Sequence, residues 1–78
     1  MNPNHGVALK PRERALLNYF HTHAGRVLSR DEISLQVWGF IMDPRSRTID
    51  QTVARVRKVI GRQRVVTHQG RGYEFLQA

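Results

Sequence analysis

Residues 47–76 read RTIDQTVARVRKVIGRQRVVTHQGRGYEFL, and two periodicities meet in them. Ile49, Val53, Val56 and Ile60 recur at i, i+4, i+7 and i+11, which gathers all four within roughly 60° of a helical wheel and predicts a helix over 47–60. Gly61 ends it. The β-branched run from Arg64 to His68, the turn residues Gln69-Gly70-Arg71-Gly72 and the segment Tyr73 to Leu76 then predict a β-hairpin. The charge lies in the same part of the chain. Between Arg45 and Arg71 stand eight basic residues, Arg45, Arg47, Arg55, Arg57, Lys58, Arg62, Arg64 and Arg71, against one acid, Asp50. The remainder carries five Lys and Arg and five Asp and Glu, so the formal net charge of +7 arises here. A polyanion is the natural partner for such a surface.

Working toward the N-terminus, Asp43-Pro44 within Phe40 to Ser46 marks a turn. Before it, Ser29-Arg30-Asp31-Glu32 predicts a helix start, with Ser29 capping a backbone N–H and Glu32 reaching back as the other half of a capping box. That second helix shows an apolar face of Ile33, Val37 and Trp38, and Gly39 stops it. Arg26-Val27-Leu28 reads as an extended link. Pro11 suits the first turn of another helix, whose apolar positions Ala15, Leu16, Tyr19 and Phe20 run to about Thr22, with Gly25 closing it. Residues 1–6 are polar and broken by Pro3 and Gly6, a flexible lead-in to a domain over 7–78 that opens with a short strand at Val7 to Leu9. The expected fold is mainly α with a small β component. Three helices followed by a C-terminal β-hairpin is the order of a winged helix-turn-helix module.

Seventy-eight residues without a cysteine form one small domain that must rely on packing, and neither disulfides nor thiolate metal sites can assist it. No apolar run approaches the roughly 20 residues needed to span a bilayer and no signal-peptide pattern opens the chain, so a cytoplasmic, nucleoid-associated location is expected. His21 and His23, two apart on a helix, point to different sides and find no completing ligand, so no metal is expected. No cofactor and no enzyme chemistry are expected either. There is no nucleophile, base and acid constellation, and Gly70-Arg71-Gly72 follows a strand rather than opening a helix. Single-stranded RNA fits poorly, because Tyr73 is the one aromatic near the hairpin turn.

The apolar stripe of the helix over 47–60 fixes its outward face as Gln51, Ala54, Arg55 and Lys58, with Thr48 and Thr52 toward the margin and Arg47 at the N-terminal end. A B-form major groove, about 12 Å wide, admits such a helix. Arg55 can present two donors to guanine, and Gln51 can pair an acceptor and a donor with adenine. Lys58 and Arg57 suit phosphates, although Arg57 lies nearer the core boundary and equally fits a snorkelling role. An ordinary solvated basic face would show the same pattern. The adjoining hairpin with Gly70-Arg71-Gly72 weighs against that reading.

In its motifs the chain resembles the DNA-binding domain of the OmpR/PhoB family of bacterial transcription regulators. The resemblance runs through Leu9-Lys10-Pro11-Arg12-Glu13, Gly25-Arg26-Val27-Leu28-Ser29-Arg30-Asp31-Glu32, Val37-Trp38-Gly39, Ser46-Arg47-Thr48-Ile49-Asp50, Arg55-Val56-Arg57-Lys58 and Gly70-Arg71-Gly72-Tyr73. It implies a third helix in the major groove and a wing over 64–76 at the adjacent minor groove. By position it implies that Gln51 and Arg55 face bases, while Trp38, Arg47, Thr48, Thr52, Arg57, Thr67 and Tyr73 approach the sugar-phosphate backbone. It also implies that the Phe40 to Ser46 loop touches RNA polymerase; on the residues alone, Phe40-Ile41-Met42 fits either such a contact or a tuck onto the domain's own core.

Departures from the family pattern carry expectations of their own. Lys10 replaces the hydroxyl cap before Pro11, so the first helix is expected to fray more easily. Ala54 stands where many members have arginine, and Gln69 where some place a minor-groove arginine, which passes the wing role to Arg71. The chain has no room for the family's receiver domain, so the expected protein is a small stand-alone regulator or accessory transcription factor that binds double-stranded DNA sequence-specifically. Cooperative pairing on DNA would then come from the DNA or from another protein. The alternative is a winged-helix interaction module that contacts RNA polymerase or another acidic protein through its basic face, anchored by Phe40, Ile41 and Met42.

Overall fold

The computed structural model describes residues 9–77. The lead-in expected at 1–6 and most of the strand expected at 7–9 lie outside them; Leu9 belongs to no strand and packs half-buried against the core. Helix α1 spans Pro11–Thr22, strand β1 Val27–Leu28, helix α2 Arg30–Ile33 with a π-helical continuation Ser34–Trp38, and helix α3 Thr48–Ile60. A 3-10 turn, Arg62–Arg64, leads into β2, Val65–His68, and β3, Gly72–Phe75.

Helix α3 forms as its periodicity predicts, burying Ile49, Val53 and Val56, while Ile60 is only partly covered. The helix starts one residue later than expected because Arg47 occupies the capping position, and the Ser46 hydroxyl accepts from the Thr48 N–H at 3.3 Å. Helix α1 covers α3 with Leu16 and Phe20, whereas Ala15 faces solvent. Its start is better held than Lys10 suggested. The Lys10 ammonium accepts nothing, but the Glu13 carboxylate accepts from the Lys10 backbone N–H at 2.9 Å, supplying one half of a capping box.

The other capping box is also half made. Ser29 Oγ accepts from the Glu32 N–H at 3.0 Å, yet the Glu32 side chain turns away to take both ends of the Arg26 guanidinium, at 2.7 and 3.0 Å, and the Tyr19 hydroxyl. A charged fork outcompetes a lone backbone N–H, and it holds the Glu32 carboxyl below the usual carboxylate range. The second helix runs to Gly39 as the sequence predicts, but it is not regular throughout. The Gly39 N–H bonds to the Ser34 carbonyl at 3.2 Å as well as to that of Leu35 at 2.9 Å, widening the last turn. Gly39 then ends it in the left-handed region. Buried Ser34 donates its hydroxyl to the Phe40 carbonyl at 2.7 Å and accepts from the Met42 N–H at 2.9 Å, so the widened turn anchors the following loop.

Residues Val27 and Leu28 are more than a link. They form β1, which pairs antiparallel with β3 through Val27–Glu74 and Leu28–Tyr73. The expected hairpin is therefore two strands of a three-stranded sheet in the order β1-β3-β2, with Val65 opposite Phe75 and Thr67 opposite Tyr73. Phe75 stacks on Phe20 at 5.9 Å, joining the sheet to α1 over a core that includes Leu28, Ile33 and Val37. Gly72 lies where β3 meets β1. A Cβ there would stand 1.9 Å from the Leu28 carbonyl oxygen, and its φ is +141°.

One carboxylate fixes the wing to α3. Asp50, in the first turn of α3, accepts from the Arg30 guanidinium and from the Tyr73 hydroxyl, the latter at 2.5 Å, while Arg30 Nη2 also donates to the Ser46 carbonyl at 3.0 Å. Burial, and then the Asp50 carboxylate, push the Tyr73 hydroxyl pKa up to about 12.

Two outcomes follow from these contacts. Gly72→Ala should lower stability by about 3 kcal/mol or more, adding overpacking to backbone strain, and a matching fall in the urea midpoint would show it. The folded state holds the Tyr73 proton more tightly than the unfolded chain does. Stability from this group is therefore intact below pH 10 and declines as pH rises toward about 12. Urea midpoints measured across that window should fall less steeply for Tyr73→Phe, leaving the smaller slope from Tyr19, whose pKa is also raised by burial and by Glu32.

Candidate nucleic-acid interface

Helix α3 turns Gln51, Ala54, Arg55 and Lys58 to solvent on the side away from Ile49, Val53 and Val56. Gln51 and Arg55 stand one turn apart, which puts their side chains on one face. With Thr48, Thr52 and Ala54, and with Lys10 and Glu13 from the start of α1, they line an open concavity of about 500 Å³. Thr48 sits exposed at its N-terminal end, whereas the Thr52 hydroxyl donates back to the Thr48 carbonyl at 2.8 Å. Arg55 is not wholly free: its Nε lies 3.5 Å from Glu13 Oε2.

The basic residues divide by their partners. Arg57 bonds inward, with Nε and Nη2 donating to the Val65 carbonyl at 3.2 and 2.7 Å, Nη2 also donating to Thr67 Oγ1 at 2.8 Å, and the guanidinium lying over the Tyr73 ring. Arg64 donates to the Leu76 carbonyl and covers Phe75, and Arg45 pairs with Asp43. By contrast, the side chains of Arg47, Lys58, Arg62 and Arg71 make no hydrogen bond or ion pair among the described residues. Lys58 and Arg62 come together in a concavity with Ala54 and Arg57. That proximity was invisible in the sequence, because Gly61 and the 3-10 turn redirect the chain between them.

On the wing, Gln69, Gly70 and Arg71 form the exposed tip, with the Arg71 N–H closing the turn onto the His68 carbonyl at 2.8 Å. A groove of about 280 Å³ runs from this tip past Thr67 and Tyr73 to Arg30 and Asp50, so the wing and the start of α3 share one surface. Thr67 is exposed on β2, and Tyr73 is mostly buried with its hydroxyl on Asp50. Trp38 is half-buried, with the Arg12 guanidinium 5.6 Å from its ring centre. The Phe40-Ile41-Met42 run splits: Phe40 and Ile41 are 56% and 57% exposed, while Met42 packs against the core.

Asp50 and Glu13 were not singled out from the sequence. A lone acid inside a strongly basic stretch was the available signal for Asp50, whereas nothing local marks Glu13 as a neighbour of Arg55, 42 positions away. No group of three or more metal-ligating His, Cys, Asp or Glu side chains occurs among the described residues.

Comparisons with known proteins agree with this fold. The family model described as "Transcriptional regulatory protein, C terminal" matches residues 4–75. The transcriptional regulatory protein CseB of Streptomyces avermitilis is 41% identical over 69 residues, covering 88% of this chain and 29% of that protein. The phosphate regulon regulator PhoB of Escherichia coli is 41% identical over 73 residues, covering 88% of this chain and 32% of its own. The chain thus spans about a third of the length of such relatives. Among solved structures, the Klebsiella pneumoniae RstA DNA-binding domain in complex with the RstA box superposes with a TM-score of 0.81 at 29% identity, covering 90% of this chain and 74% of that one. The DNA-binding domain of Escherichia coli CpxR gives 0.80 at 31% identity, with the same coverage. With a family model matched over nearly its whole length and a winged helix-turn-helix fold to go with it, the chain belongs to the OmpR/PhoB-type family of transcriptional regulatory protein C-terminal domains.

Proposed function

We propose that this chain binds double-stranded DNA sequence-specifically as the DNA-binding unit of a transcription regulator, with α3 in the major groove and the wing tip at the adjacent minor groove. The observation that carries the proposal is the outward face of α3, where Gln51 and Arg55 stand exposed between Arg47 and Lys58, two cations with no partner among the described residues. Central readers flanked by phosphate holders is the division of labour that duplex recognition requires. Arg71 and Gln69 then reach the minor groove, and Thr48 and Thr52 approach the backbone beside Arg47. Trp38, Thr67, Tyr73 and Arg57 sit where backbone contact is expected, with Arg57 acting chiefly by stiffening the wing. This role places the protein on the nucleoid in the cytoplasm and requires neither a catalytic group nor a cofactor.

A second reading rests on Phe40 and Ile41. Two large apolar side chains exposed side by side, on a loop pinned by Ser34, form a compact contact surface for RNA polymerase or another protein. The two readings are compatible, since this loop and the α3 face use different residues.

Fluorescence anisotropy with defined duplexes tests the main proposal. If Arg47, Lys58 and the neighbouring Arg62 each hold a phosphate, affinity should fall about 40-fold between about 50 and 200 mM salt. Arg55→Ala should cost about 1–3 kcal/mol of discrimination at one base pair, whereas Lys58→Ala should weaken all duplexes alike and reduce the salt slope by about one. An Arg55→Ala variant that binds every duplex as the parent does would sink the readout assignment. Replacing Phe40 and Ile41 together by serine should leave duplex affinity unchanged and lower transcription from a bound promoter; a parallel loss of DNA binding would remove the second reading.

A further inference from the structure

We propose that Glu13 is a positioning residue for Arg55, holding the base-reading guanidinium in place and lowering affinity for unrelated DNA. The proposal rests on the reading of Arg55 as a base contact. Glu13 lies in the first turn of α1, with its side chain only 12% exposed. Its Oε1 is fixed by the Lys10 backbone N–H at 2.9 Å, and its Oε2 faces Arg55 Nε at 3.5 Å. The carboxylate is therefore pinned on one side and presented on the other, on the wall of the concavity that also holds Thr48, Gln51 and Thr52.

The contact uses the Nε edge of the guanidinium. Nη1 and Nη2 remain as the paired donors that a guanine's O6 and N7 accept. An arginine on a flexible stem loses much rotamer freedom on binding, and a fixed carboxylate at Nε removes part of that loss in advance. As a contribution to stability such a partly exposed pair counts for little. Its value lies in orientation.

The same carboxylate stands beside a surface meant for a polyanion. It repels any duplex that does not return the interaction through a matched base, so its presence favours discrimination over raw affinity. This separates a positioning role from a structural one: losing a merely structural residue weakens all binding together.

The test begins with selection from a randomised duplex pool, which gives the preferred sequence of the parent protein. Anisotropy titrations then compare the parent, Arg55→Ala and Glu13→Gln on that duplex, on its single-base variants and on an unrelated duplex, with thermal midpoints measured alongside. Glutamine keeps an oxygen for the Lys10 N–H while removing the charge that faces Arg55. Arg55→Ala should lose a roughly 5- to 150-fold preference at one base pair. Glu13→Gln should lose about threefold or more of the preference at that same pair, and should bind the unrelated duplex about two- to fivefold more tightly at low salt. Should Glu13→Gln not fold, Glu13→Asp, one methylene shorter and still charged, should show the same local loss of preference. If the Glu13 variant keeps the full preference at the base pair where Arg55→Ala loses it, the positioning role is wrong and DNA reading by Arg55 stands. Uniformly weaker binding to every duplex would likewise overturn it in favour of a structural role. A parent protein with no sequence preference at any position would overturn both readings.

Discussion

The angle between the recognition helix and the wing depends on Asp50. Its carboxylate sits in the first turn of α3, where the helix dipole favours an anion, and it accepts from Arg30 of α2 and from Tyr73 of β3. Three elements remote in sequence meet at one carboxylate oxygen, Asp50 Oδ1. Without that acceptor the mostly buried Tyr73 hydroxyl would lose its partner, and Arg30 would face a basic helix with nothing to balance it. The relation between the α3 face and the Arg71 tip, which makes one surface of two elements, follows from this junction. Arg57 adds a second brace on the other side of Tyr73, through the Val65 carbonyl and Thr67.

Much of the architecture was readable from the residues, for reasons that also explain what was not. Helix α3 has thirteen residues and a clean apolar stripe, so its outward face followed directly, and Gln51, Arg55 and Lys58 stand exposed where the wheel put them. The hairpin was marked by its β-branched run and its glycines. Strand β1 reads only as an extended link because two residues carry no period. The π-helical widening after Ile33 left no local mark either, since one extra residue in a turn barely changes a short apolar pattern. Capping rules were half right at both Ser29 and Lys10. At Ser29 the glutamate is diverted to Arg26 and Tyr19, whereas at Lys10 the glutamate caps and the lysine side chain has no acceptor to offer.

The structure also divides the basic segment. Of the eight basic residues between Arg45 and Arg71, Arg45, Arg57 and Arg64 are engaged within the domain and Arg55 is shared with Glu13. Electrostatic attraction at long range still reflects the full +7. The cations left without a partner among the described residues are fewer, at the two ends of α3 and at the wing tip. Arg62 joins them only because a 3-10 turn folds it back beside Lys58.

The two-residue strand β1 gives the wing a mechanical character that a free hairpin would lack. Because β3 is the middle strand, clamped by β1 on one side and β2 on the other, its base cannot swing independently of the segment joining α1 to α2. The Gly25 N–H, bonded to the Phe75 carbonyl at 2.9 Å, extends that clamp by one more rung. Compliance is therefore confined to the Gln69-Gly70-Arg71 tip, and any push on the rest of the wing is transmitted, as along a short lever, into the start of α2.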